Sequence, residues 1–243
     1  MSVIASVHLA DVGVRTALGV LRRPPSADSI AGLRHANVGV AGPLSGSLLP
    51  SPTLRRVGLI AFWEAGDALD RFEAGHPCAE PFVDGWRVRL DPLRASGSWP
   101  GLPDTIPTER NVVDDDGRAL ALTLGRLRLS RTVPFLRTSA KAEASVLAAP
   151  GVIFATGLAR PPFVATCSLW ESSRALMRYA YGRGEAAHQH AIDADRATPF
   201  HLQSAFIRFR PTESRGSLGG GNPLSEHWTH IAPSASPNSG DRP

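Results

Sequence analysis

Apolar and polar positions along the chain follow two alternating rhythms. Short runs of β-branched and aromatic residues bounded by Gly and Pro, such as 56–63 and 163–170, read as strands. Longer stretches with apolar residues three and four apart read as helices. The pattern predicts strand 3–12, helix 15–33 (interrupted at Pro24-Pro25), strand 37–42, strand 56–63, helix 65–83 and strand 86–93. The same six elements are then predicted again: strand 119–129, helix 133–148, strand 152–159, strand 163–170, helix 172–197 and strand 202–209.

The two sets match in detail. Phe62-Trp63-Glu64 and Leu169-Trp170-Glu171 lie 107 positions apart, while the Ala31-Gly32/Pro150-Gly151 and Gly97-Ser98/Gly216-Ser217 pairs lie 119 apart. The offsets reconcile if the first copy has a connection longer by 12 residues, the turn-rich GPLSGSLLPSPTLR, and the second copy a second helix longer by 12. The order β-α-β-β-α-β is the ferredoxin-like split βαβ, an antiparallel sheet with both helices on one face. The bare face needs a cover, and a second copy of the same sheet supplies it. The expected fold class is therefore α+β: tandem ferredoxin-like βαββαβ repeats forming an intrachain dimeric α+β barrel. The expected organisation is a first repeat over 1–100, a linker over 101–118, a second repeat over 119–213 and a disordered Ser/Gly/Pro-rich tail over 214–243.

Composition narrows the function classes. With 243 residues, 42% hydrophobic and 20% charged, the chain has material for a sizeable core. The net charge of +4 suggests an acidic partner, but the basic residues are scattered and lack interleaved aromatics, so no nucleic acid is expected. Cys78 and Cys167 are too few for a disulfide framework or a four-ligand zinc site. The first residues lack the basic region of a secretory signal, and the longest apolar stretch, 144–159, is broken at Pro150-Gly151, so no membrane span is expected. A cytoplasmic location follows, with peripheral membrane contact and oligomerisation left open.

Candidate chemistry concentrates in the second copy. Met177, Tyr181, His188 and Ile192 fall on one face of the last predicted helix, which turns the His188 imidazole toward the sheet and His190 away from it. An inward imidazole suits axial ligation of a haem iron; the same spacing suits a hydrogen-bonded core histidine. Tyr179, Tyr181, Trp170, Phe163, Phe200 and Phe209 supply rings for a flat or polyene ligand, or for an aromatic core. Arg128, Arg131 and Arg137 flank the start of the copy's first helix and suit carboxylates such as propionates, or solvent. Gly182-Arg183-Gly184 marks a kink. Cys167 reads as a small buried hydrophobe, with thiolate ligation as the alternative. His76-Pro77-Cys78 completes no metal set, and Ser45, Ser47 and Ser51 lack a nucleophile elbow.

The order and spacing of several short motifs resemble the spheroidene monooxygenase family of carotenoid biosynthesis. They are Leu127-Arg128-Leu129-Ser130-Arg131, Pro134-Phe135-Leu136-Arg137, the run 150–158, Ser168-Leu169-Trp170, Ala180-Tyr181, His188, Ala191-Ile192 and Phe206-Ile207-Arg208-Phe209. The resemblance is close over 119–210 and looser over the first copy. It departs at Pro199-Phe200 and Leu202-Gln203, where the family commonly has a Trp and an acidic residue. It implies a haem protein that inserts oxygen into an acyclic carotenoid, a large apolar substrate, using dioxygen and electrons from a ferredoxin-type donor. It also implies His188 as the iron ligand, Arg137 or Arg131 as a propionate anchor, and Tyr181 beside the haem. Phe200, Trp170 and Phe163 would line the substrate pocket. Two other readings keep the fold: a cofactor-independent oxygenase or isomerase using a histidine base, and a non-catalytic protein that binds a small apolar ligand.

Overall fold

A computed structural model describes residues 3–44, 55–109, 117–181 and 200–225. His188, His190, the Gly182-Arg183-Gly184 interruption and Ser45, Ser47 and Ser51 lie outside these described residues.

The first half contains β1 (Ile4–Asp11), α1 (Val14–Arg22), β2 (Leu33–Pro43), β3 (Arg56–Trp63), α2 (Gly66–Gly75) and β4 (Trp86–Gly97). The second contains β5 (Ala119–Leu127), α3 (Thr132–Ala148), β6 (Val152–Arg160), β7 (Phe163–Trp170), α4 (Ser173–Tyr181) and β8 (His201–Arg215). Strands pair antiparallel in the closed order β1-β3-β2-β6-β7-β5-β8-β4, with β4 returning to β1. Each half thus keeps the ferredoxin order, β4-β1-β3-β2 and β8-β5-β7-β6, and the halves are sewn together at two seams. The β4–β8 seam is long, from Arg87↔Arg215 to Gly97↔Ala205, whereas β2–β6 pairs only from Val40↔Ala159 to Pro43↔Thr156.

The internal repeat has a physical cause. Gly32 and Gly151 both adopt positive φ, 78° and 84°, where L side chains are strained. Each carbonyl accepts the backbone N–H of the matching glutamate, Glu64 at 2.9 Å and Glu171 at 2.8 Å. A Cβ on either glycine would meet the Cβ of the alanine in the next helix, Ala68 at 2.5 Å or Ala175 at 2.7 Å. The repeated Gly and Ala are therefore a hinge through which each helix folds flat onto its sheet. Trp63 and Trp170 then pack, rings tilted, under Phe72 and Tyr179, at centroid distances of 5.0 and 5.1 Å.

Strand alternation divides the side chains into three cores. The barrel interior is filled by residues such as Val7, Phe62, Trp86, Leu122, Phe163, Cys167, Leu169 and Phe209. A second core lies between the outer face of the first half-sheet and α1 and α2, and a third between the second half-sheet and α3 and α4. These side chains make the barrel interior a packed core.

Several expected boundaries shift. The helix expected over 15–33 stops at Arg22, because Pro24-Pro25 cannot continue it. The segment 98–109, partly assigned to a linker, folds into the mouth of the barrel: Trp99 and Ile106 join the interior, and Trp99 Nε1 donates to Asn37 Oδ1 at 3.0 Å. Residues 214–225, assigned to a disordered tail, are also placed. The Trp86 indole, buried at that point, needs an acceptor. It donates to Ser214 Oγ at 2.8 Å and Asn222 Oδ1 at 3.2 Å, while Leu218 enters the barrel core.

Candidate functional site

The register makes the two halves directly comparable. In the first, His8 pairs with Leu59; in the second, Thr123 pairs with Thr166 at the corresponding place. Ala10 and Val57 likewise correspond to Gly125 and Val164. All these side chains face the helices. In the first half the face is full: His8, Leu59 and Val57 are buried, with Phe72 and Phe82 edge-on to the His8 ring at 6.1 and 5.8 Å. In the second half Thr123 is exposed and Val164 and Thr166 only half-buried.

The helix covering β5 and β7 in the second half is α4, as α2 covers β1 and β3 in the first. Helix α3 packs on β6 and buries only Ala140 and Val146, much as its counterpart α1 buries only Ala17 and Val20. Among the described residues this leaves a partly open groove along Thr123, Val164 and Thr166, with Gly125 buried at its edge beneath His201. At one end the Phe135 ring stands edge-on to His201 at 5.4 Å and to Phe200 at 6.4 Å. The His201 ring rests directly on Gly125: a Cβ there would lie 2.5 Å from it, so a larger residue would displace the ring.

The expected site residues are distributed as follows. Phe163 and Trp170 are an odd number of positions apart on β7 and so point to opposite faces. Phe163 is inside the barrel against Trp99, with ring centroids 6.0 Å apart, and Trp170 lies outside under Tyr179. Phe200 closes the end of the groove, so the three expected pocket residues do not share one cavity. Tyr181 is 40% exposed, and its hydroxyl accepts a hydrogen bond from Arg94 at 2.8 Å. The buried stripe of α4 is Ala175, Leu176, Tyr179 and Ala180, not the Met177–Tyr181 line, because the Gly151–Ala175 contact sets the helix rotation. The inward orientation inferred for His188 thus loses its described support on α4. Arg131 and Arg137 are both exposed, Arg137 on the outward stripe with Lys141. Cys167 faces the barrel interior, away from the groove, and burial pushes its thiol up to about 12.

Two functional candidates were missed from the sequence. Arg94 and Arg208, paired across the β4–β8 seam, are both buried, and burial together with the Arg94 charge lowers the Arg208 pKa against an opposing effect of Tyr181. Parity held the signal: with Ile207 and Phe209 inside, Arg208 must face the helices. The other is His201, whose place over Gly125 depends on strand pairing. Among the described residues no cluster of His, Cys, Asp and Glu suits a metal ion.

These features define a class: a single-chain α+β barrel made of two fused ferredoxin-like halves, one helix-covered face filled and the other grooved. An aldoxime dehydratase solved in complex with butyraldoxime shares this fold, with TM-score 0.51 and 9% identity over 87% of this chain and 79% of its own. No family model matches the chain. At the sequence level it is similar to the spheroidene monooxygenases. The Rubrivivax gelatinosus protein is 32% identical over 171 residues, 68% of this chain and 64% of that protein. The Rhodobacter capsulatus protein is 27% identical over 187 residues, 72% and 75% of the respective lengths. The match thus spans just under two thirds of the length of the Rubrivivax relative.

Proposed function

We propose that this chain is a haem-dependent oxygenase of the spheroidene monooxygenase type, inserting oxygen into a large apolar, carotenoid-like substrate. The observation that carries the reading is the difference between the two helix-covered faces. Where the first half places His8, Leu59 and the aromatic cover, the second places Thr123, exposed, and Thr166, half-buried, beside Gly125, on which the His201 ring rests. A flat macrocycle needs such a floor of small side chains, and the close approach of His201 to Gly125 brings an imidazole to its edge.

Within this reading each group has a task. When bound, haem supplies the activation of dioxygen that no side chain provides. His188 is the proposed iron ligand. His201, held over Gly125 and against Phe135, is positioned at the groove's end to hydrogen-bond a reacting group. Arg131 and Arg137 are the proposed propionate partners on the α3 side. Phe135 and Phe200 shed water from the end where an apolar chain would enter. A ferredoxin-type protein is the proposed electron donor.

The test is optical. Purified protein supplied with haem is expected to develop an intense Soret band that shifts on reduction under carbon monoxide, and His188→Ala is expected to weaken or abolish it. A wild-type chain that takes up no haem removes the reading. An unchanged spectrum in His188→Ala removes the ligand assignment alone and directs attention to His201 and His190.

A further inference from the structure

We propose that the end of the barrel built by the β5–α3 turn is a docking surface for an anionic lipid bilayer. Leu129 is 66% exposed, Val133 59% and Leu202 59%, three of the most exposed large apolar side chains among the described residues. They are neighbours. Leu129 and Val133 are one helical turn apart across the start of α3, with Thr132 Oγ1 donating to the Leu129 carbonyl at 2.8 Å. Arg128 N donates to the Phe200 carbonyl at 2.8 Å, which brings Leu202, two residues on, to the same rim. Singly exposed leucines are ordinary; a contiguous group at one tip marks an interaction site.

Charge selects the occupant. Arg126, Arg128, Arg131 and Arg137 are all exposed around these residues, as is Arg160 in the hairpin whose Pro162 carbonyl accepts the Leu127 N–H at 2.8 Å. Between Arg118 and Lys141 the sequence contains no carboxylate. The first, Glu143, is ten residues beyond Val133, about 15 Å along α3 at 1.5 Å per residue. That exceeds the Debye length of about 10 Å at 0.1 M salt, so no carboxylate of this segment neutralises the arginines at the tip. Apolar residues at the centre with arginines around them match the acyl-chain boundary and phosphate headgroups of a bilayer. Phe135 and Phe200 lie immediately behind the tip, so a lipid-dissolved substrate would pass from the membrane to the groove without crossing water. A folded acidic protein offers the same charge but no medium into which three aliphatic side chains insert.

The experiment is partition of the full chain onto vesicles, without haem or substrate, so that failure of haem uptake leaves it interpretable. Wild type is expected to co-sediment with vesicles of equal parts phosphatidylglycerol and phosphatidylcholine far more than with pure phosphatidylcholine, and to dissociate as salt rises. Arg128→Gln with Arg131→Gln is expected to lower the partition coefficient by about fivefold per arginine. Leu129→Ser with Val133→Ser is expected to lower it at every salt concentration, and both pairs are exposed enough to leave circular dichroism and tryptophan emission unchanged. The proposal is overturned if wild type ignores the anionic vesicles, binds both vesicle types equally, or binds as well after either double substitution. If the arginine pair instead leaves vesicle binding unchanged and abolishes co-elution of the haem-free chain with an acidic ferredoxin, the surface is a protein dock and the membrane assignment falls.

Discussion

At the scale of single residues, the two halves solve one problem with different atoms. The Trp63 indole donates to Ser6 Oγ on β1 and the Trp170 indole to Ser168 Oγ on β7, both at 2.9 Å. The register places Ser6 opposite Ala61 and Ala121 opposite Ser168, so the hydroxyl has changed strands while its place under the indole is kept. Ser6→Ala and Ser168→Ala should each cost about 1–3 kcal/mol in urea unfolding, since each leaves a buried N–H without its acceptor. A cost confined to one half would contradict this equivalence. His8 has no counterpart, and its burial holds the imidazole pKa at about 3, with Arg87 adding to the depression. The unfolded chain takes up this proton near pH 6.5 and the native one does not. Stability is therefore full above that pH and declines at up to about 1.4 kcal/mol per unit as pH falls toward 3. Glu73, 4.0 Å away and itself raised in pKa by burial, faces the same ring. Denaturant midpoints measured from pH 7.5 to 5 should show this slope, and His8→Asn should flatten it.

At the scale of elements, the glycine hinges decide how helices meet sheets. Gly32→Ala and Gly151→Ala should each destabilise by about 1–2 kcal/mol from positive φ alone, before the clash with Ala68 or Ala175 is counted. Thermal unfolding of the two variants, expected to lose stability together, checks this. Strand 56–63 and strand 163–170 were legible to the residue because their runs are bounded by turn residues and dense in β-branched and aromatic types. The rotation of α4 was not. Its apolar residues form two overlapping stripes, and only the contact of Ala175 with Gly151 selects Leu176 and Tyr179 over Met177 and Tyr181. Likewise, Phe163 and Trp170 looked like members of one aromatic cluster, but strand parity separates them by the thickness of the sheet.

At the scale of the whole molecule, the halves share one interior and neither can cover its own inner face. A protease site engineered between residues 110 and 116 should therefore leave the cut halves co-eluting in gel filtration, while either half expressed alone should aggregate or self-associate. Separation of the cut halves under native conditions would contradict the shared core. The order of elements, their duplication, the turn glycines and the α+β class follow from the sequence itself, because they rest on local preferences and on a periodicity that survives in one dimension. Which stretch of the outer sheet face is left partly open, that Arg94 meets Arg208, that His201 rests on Gly125 and that Leu129 and Val133 come near Leu202 were decided only in three dimensions. Each depends on strands brought together from distant parts of the chain, and no local preference encodes which residue will lie across a seam.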